Sequence, residues 1–235
     1  MAGTTRTKRF LLALAALIAL GGGIGYFSGS RAPVPSGNPT AAPEGSDWQD
    51  LLAGERATRW RNITDESEIF EIQGDTLHIP GNSLYPLRYV AWGDERLGDF
   101  ELHLEFKVAS GANSGVFLRA QPNDPVYRGF EVQVLEDFGD PPNKNGSGAI
   151  YDVVTPMFNL ARPAGEWNSY DITVRGTSVV VIMNGWKVID TDLALMTTPL
   201  GKFSVAYADL PREGLLMLQD HGGEVWYRNI RLKRL

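Results

Sequence analysis

The chain contains no cysteine. That removes a disulfide framework, a thiolate metal site, a cysteine nucleophile and a lipidated cysteine anchor. Histidine is scarce, with three residues in 235, so a multi-histidine zinc centre has no ligands to draw on. Excess positive charge is also missing. Lys and Arg number 22 against 28 Asp and Glu, a net charge of −6, and a nucleic-acid partner would need a basic face. No long helical periodicity follows the N-terminal region, and no repeat at propeller or solenoid spacing appears. The G-x-S-x-G elbow, the H-E-x-x-H helix, the phosphate loop, the dinucleotide fingerprint and the EF-hand spacing are all absent. Most common enzyme classes go with them.

What is present begins with an address. Arg6, Lys8 and Arg9 precede the apolar run Phe10–Leu20, which continues through Gly21–Gly25 to Tyr26 and Phe27. Basic residues followed by an apolar segment form an export signal. Residues 1–30 are therefore expected to be a signal peptide or a single N-terminal membrane anchor. The domain itself is expected to be periplasmic or extracellular, released or held. Residues 31–45 are rich in Pro, Ala, Gly and Ser, a composition that cannot bury a core, and read as a linker. The folded domain is expected over residues 46–235.

From Asp47 onward the pattern is of short strands. Phe100–Val108 alternates Phe100, Leu102, Leu104, Phe106 and Val108 with Glu101, His103, Glu105 and Lys107, which places His103 at the surface. Phe70–Ile72 and Thr76–Ile79 flank a hairpin turn. Gly115–Ala120, Gly129–Leu135, Trp167–Val174, Ser178–Met183, Trp186–Asp190, Gly201–Tyr207, Leu215–Leu218 and Val225–Leu232 complete the set. Asn184-Gly185 is a two-residue hairpin signal, since both residues tolerate positive φ. A dozen short strands with regular turns predict an all-β fold, a two-sheet jelly-roll sandwich with one concave polar face.

The stretch Tyr127–Asp137 organises the functional reading. Phe130, Val132 and Val134 point one way, and Glu131 and Gln133 the other. Such a pair marks either a solvated sheet face or the floor of a cleft. Asn113-Ser114-Gly115 reads as a turn in which Gly115 lets the backbone pass closely. It leads to Phe117 and Arg119 on a shared face. Arg119 is either a surface arginine over an aromatic or a fixed guanidinium for a sugar hydroxyl or an oxyanion. Tyr151 follows the flexible Gly146-Ser147-Gly148. It reads as packing, or, beside Glu131, as a sugar platform or proton donor. Gln219-Asp220-His221 ends an apolar run in glycines, where a binding surface would be built. His221 is either a turn histidine or a base or metal ligand. Trp167 and Asn168 read as structural.

Eight short motifs occur in order: Asp99-Phe100-Glu101-Leu102, Asn113 to Arg119, Glu131 to Leu135, Gly148-Ala149-Ile150-Tyr151, Glu166-Trp167-Asn168, Asn184-Gly185, Leu218 to Gly222, and Tyr227-Arg228-Asn229-Ile230. Together they resemble the 3-keto-disaccharide hydrolase domain family over Trp48 to Leu235. The resemblance implies a concanavalin-like sandwich related to laminarinases. It implies exported proteins acting on glycosides oxidised at sugar carbon three. It implies that Arg119, Glu131, Gln133, Tyr151, Gln219 and His221 line the concave face. Chemistry on such a substrate needs a base, for which Glu131 and His221 are the choices. It needs Arg119 or a divalent metal ion at the enolate, and Tyr151 or His221 as acid, with Gln133 and Gln219 orienting hydroxyls.

The partner so implied is a carbohydrate. Two other readings stay open: a binding module without catalysis, and a β-glucanase. The second has a specific difficulty. Glu131-Val132-Gln133-Val134-Leu135-Glu136 resembles the laminarinase E-x-D-x-x-E spacing, but Gln133 stands where the central Asp would be and cannot titrate. The odd spacing also turns Glu136 away from Glu131 unless a bulge intervenes.

Overall fold

The structure, a computed structural model, describes residues 37–81, 87–201 and 203–235. Residues 1–30, read as signal or anchor, and the first part of the proposed linker lie outside them. Among the described residues no helix is long and apolar enough to cross a membrane.

Among the described residues thirteen strands form two sheets. They are β1 Gln49–Asp50, β2 Trp60–Asn62, β3 Glu71–Gln73, β4 Thr76–Ile79, β5 Arg88–Trp92, β6 Phe100–Val108, β7 Asn113–Ala120, β8 Phe130–Leu135, β9 Trp167–Arg175, β10 Ser178–Met183, β11 Trp186–Asp192, β12 Leu215–Asp220 and β13 Val225–Arg234. The larger sheet runs β11-β10-β9-β6-β13-β4-β3, with β1 paired to β13. The smaller runs β2-β5-β12-β7-β8. The paired strands are antiparallel, and the two sheets pack face to face as the expected all-β sandwich.

Alternation along each strand explains the layering. Phe100, Leu102, Leu104, Phe106 and Val108 of β6 enter the core between the sheets. They meet Val116 and Leu118 of β7, Phe130, Val132 and Val134 of β8, and Leu216 and Leu218 of β12. Each such side chain contributes about 1.5–3 kcal/mol by leaving water. The opposite face of the smaller sheet carries a second apolar cluster: Tyr89, Ala91, Phe117, Ala120, Leu215 and Met217. Sharing that face are Glu131 and Gln133 of β8 and Gln219 of β12. The Asn184-Gly185 turn joins β10 to β11 as expected, with φ of 50° and 83°.

Four local expectations are corrected. Asn113-Ser114-Gly115 is not a turn but the start of β7. The segment Gly201–Tyr207 forms no strand among its described residues, and a 3-10 turn begins at Tyr207. The strand β5, with its unbroken apolar centre Tyr89–Trp92, was not anticipated. His103 is fully buried, not exposed. Its Nδ1 lies 2.7 Å from Asp171 Oδ1. What covers this outer face of the larger sheet includes the chain just before the domain. Thr40 Oγ1 donates to Asp171 Oδ2 at 2.7 Å, and Thr40 N donates to Ser169 Oγ at 2.8 Å. Gly37 packs directly on Asn184. Part of the stretch read as linker is thus held on the sheet.

Candidate active site

On the outer face of the smaller sheet lies a hollow of about 50 Å³, lined by Leu87, Asn113, Phe117, Val126, Glu131, Gln133, Tyr151, Gln219 and His221. Each arrives from a definable place. Glu131 and Gln133 are alternate residues of β8, so both face outward once Phe130, Val132 and Val134 face the core. Asn113 and Phe117 do the same from β7, and β7 and β8 pair with Phe117 opposite Glu131 and Gly115 opposite Gln133. Gln219 lies near the end of β12, and His221 is two residues on, in the loop that follows. Tyr151 comes from a segment laid along β8: Gly148 N donates to Gln133 O, and Tyr151 N to Glu131 O, each at 3.0 Å.

Glu131 is the acidic member of the lining, and it is buried. An amide beside a carboxylate must present its nitrogen. So oriented, Gln133 donates to Glu131 Oε1 at 2.9 Å and to Ser114 O at 3.0 Å. Below this layer, Ser114 Oγ donates to Gln219 O at 2.5 Å and lies 2.8 Å from Tyr227 Oη. The β12 backbone is thereby tied beneath Gln219.

The phenols around the site stay protonated. Burial raises the Tyr151 hydroxyl above its ordinary range, and the Glu131 charge adds to the effect. Burial likewise pushes Tyr89 up to about 12, with Glu131 again contributing. Tyr207 and Tyr227 are raised by burial and then, in part, by the same carboxylate. Near neutral pH these hydroxyls are donors and not bases.

Five of the six residues expected in the site line this hollow: Glu131, Gln133, Tyr151, Gln219 and His221. Arg119 does not. The strand β7 bulges there, with Phe117 opposite Met217 but Ala120 opposite Leu215, and Arg119 takes a φ of 50°. The extra residue breaks the alternation that was to keep Arg119 beside Phe117. Its guanidinium instead donates to Gly98 O at 2.8 Å, Gly176 O at 2.6 Å and Asp99 Oδ1 at 2.9 Å. Those groups belong to the loop before β6 and the β9–β10 turn, so Arg119 bridges the two sheets. Glu136 is also elsewhere; β8 ends at Leu135, and Glu136 accepts from Gly111 N at 3.2 Å. Trp167 and Asn168 take structural places, Asn168 Oδ1 accepting from Arg162 N and Asn184 Nδ2.

Leu87, Asn113, Phe117 and Val126 also line the hollow and are not among the six expected residues. For Asn113 the signal is the period of two shared with Gly115 and Phe117, masked because Asn-Ser-Gly resembles a turn.

A divalent metal ion would need several hard donors. Among the described residues, no three His, Cys, Asp or Glu side chains gather to hold one. Glu131 and His221 are the ionisable candidates at the hollow besides Tyr151, with amide oxygens of Gln133 and Gln219 beside them. This set does not make a protein-built metal centre.

Comparison with known proteins agrees with this architecture. A 3-keto-disaccharide hydrolase from Bacteroides thetaiotaomicron is 35% identical over 170 residues, 58% of this chain and 59% of the relative. The aligned region thus spans little more than half of that protein's length. A candidate glycosyl hydrolase of known structure from Parabacteroides distasonis superposes with a TM-score of 0.68 at 26% identity, covering 80% of this chain and 99% of the other. A Bacillus subtilis protein with a galectin-like fold matches at a TM-score of 0.52 and 13% identity, over 80% of this chain and 94% of its own, a likeness of fold alone. Residues 47–233 match the 3-keto-α-glucoside-1,2-lyase-like domain, and the chain belongs to that family.

Proposed function

We propose that this domain is a carbohydrate-active enzyme that cleaves 3-keto-glycosides by elimination followed by hydration, a net hydrolysis. The observation that carries the reading is the meeting of one buried carboxylate, one imidazole, a protonated phenol and three amides in a single hollow. The relative's name and the family assignment support the substrate class.

A ketone at carbon three acidifies the proton on carbon two. Glu131 takes that proton, and the C–H electrons form the enolate across carbons two and three. Tyr151 donates a hydrogen bond to the developing enolate oxygen, a neutral donor in a partly water-excluded site. The enolate then collapses, the bond from carbon one to the glycosidic oxygen breaks, and His221 protonates the departing oxygen. Water adds to carbon one of the resulting enone, and a proton returns to carbon two. Gln219 orients sugar hydroxyls, while Gln133 holds the base. An ordinary retaining glucanase would need a second carboxylate about 5–5.5 Å from the first. Glu131 is the sole carboxylate in the described lining.

The test uses matched glucosides, oxidised and unoxidised at carbon three. Aglycone release is expected from the oxidised substrate alone, with deuterium entering carbon two in D₂O. Glu131→Gln and His221→Gln are each expected to lower kcat by about 10²–10⁴. Retention of full turnover by both variants overturns the assignment. Saturable sugar binding without product from either substrate makes the domain a binding module. We also propose export, from the basic and apolar N-terminal sequence. Cell fractionation tests this, and a purely cytoplasmic pool contradicts it.

A further inference from the structure

Gly115 is the third residue of β7 and pairs with Gln133 of β8, while its neighbour Val116 is paired on both sides. A glycine there weakens a strand, because it gives up side-chain packing and costs conformational entropy. Positive φ is not the reason for it; Gly115 is absent from the residues that adopt it. The reason is above its Cα. A Cβ built on Gly115 would lie 2.8 Å from Glu131 Cδ and 2.9 Å from Cγ, and nearer still to Oε1. The Glu131 side chain therefore lies down across the β7 backbone, over the diagonal neighbour of its own cross-strand partner Phe117.

That posture fixes the carboxylate. One side of it is bounded by the bare backbone of Gly115. Oε1 receives the Gln133 amide at 2.9 Å, and Gln133 is the cross-strand partner of Gly115. A methyl at position 115 would occupy the space of three Glu131 atoms, so the side chain would have to rotate away from β7. The carboxylate would then move off the Gln133 amide.

We propose that Gly115 is a positioning residue for the base, the gap in β7 that lets Glu131 lie flat in the hollow and keeps its carboxylate on the Gln133 amide. This rests on the reading of Glu131 as the proton acceptor. Gly115 has no side chain to reach substrate. It acts through Glu131, and displacement of a catalytic group by about 1 Å is enough to cost about 10²-fold in rate.

Two experiments separate this inference from the function on which it rests. With a 3-keto-glucoside, Gly115→Ala is expected to lower kcat by about 10²-fold with KM little changed, and to displace the limb of the pH–rate profile that reports the base. If Glu131→Gln abolishes turnover while Gly115→Ala retains the wild-type kcat and profile, the inference falls and the base assignment stands. The second readout needs no substrate. Thermal unfolding of the full domain is compared for Gly115→Ala in wild type and in Glu131→Ala. The methyl is expected to lower Tm by several degrees in the first and to be tolerated in the second. An equal drop in both backgrounds overturns the contact, whatever the enzyme acts on.

Discussion

The guanidinium of Arg119 makes three hydrogen bonds across the end of the sandwich, to Gly98 O, Gly176 O and Asp99. It is 2% exposed, so its charge has left water and depends on those acceptors. Burial weakens its hold on the proton, and the neighbouring Asp99 charge offsets part of that. Truncation would strand two loop carbonyls and one carboxylate. Arg119→Ala is therefore expected to cost about 2–4 kcal/mol of stability. Turnover per folded molecule should stay close to wild type, because the side chain faces away from the hollow. Urea unfolding together with kcat at low temperature checks both halves. A specific loss of kcat in a fully folded variant would return Arg119 to the chemistry. The same residue marks where reading the sequence stopped. Alternation is visible in Phe117 and Arg119, but a bulge is a backbone event with no residue type of its own when arginine adopts the positive φ. Glu131 and Gln133 were legible because nothing interrupts β8.

At the scale of elements, the stretch Gly37–Thr40 is short, polar and tied to the outer face of the larger sheet. Thr40 Oγ1 reaches both Asp171 and Ser169, and Arg162 Nη1 donates to Asn38 Oδ1 at 3.2 Å. Beneath it, Asp171 is the hydrogen-bond partner of His103 Nδ1. Thr40→Val keeps the shape and removes the hydroxyl. The variant is expected to lose about 1.5–3 kcal/mol, the range for a hydrogen bond to a charged group. Turnover should be unaffected, since the hollow lies on the other sheet. Equilibrium unfolding in urea measures the first and steady-state kinetics the second; wild-type stability would mean the segment contributes nothing to the domain. The composition of this segment reads as linker because it has no apolar face to bury. Its attachment is made by hydrogen bonds to Ser169 and Asp171, and single polar residues carry no period. For the same reason His103 reads as exposed. β6 alternates as expected, but His103 and Glu105 on its outer face are buried as well, beside Asp171 in the first case and under Arg228 and Asn229 in the second.

Across the whole molecule, the buried and exposed carboxylates set opposite slopes of stability with pH. Asp65 is held below its ordinary range chiefly by the Ser67 hydroxyl, Glu71 by His78 and Asp192 by Thr177. A group with a depressed folded pKa contributes stability above its ordinary value, which is lost as pH falls through the folded one. These three therefore contribute to the acid limb. Asp137 runs the other way. Burial raises it, only partly offset by the Ser147 backbone N–H donating at 2.8 Å, and its Oδ1 has no partner among the described residues. The folded state binds this proton more tightly than the unfolded chain, so the Asp137 contribution is fullest below the ordinary aspartate value and declines as pH rises to its folded pKa. Ionising Asp137 leaves a poorly solvated oxygen inside the fold. Asp137→Asn preserves an acceptor for Ser147 N and removes the charge. Relative to wild type, the variant should gain stability as pH rises above the ordinary aspartate range, because only the wild type must ionise a buried group there. Urea unfolding at closely spaced pH values decides it. A difference between variant and wild type that stays constant across the range would mean that Asp137 is not the group whose ionisation the fold opposes.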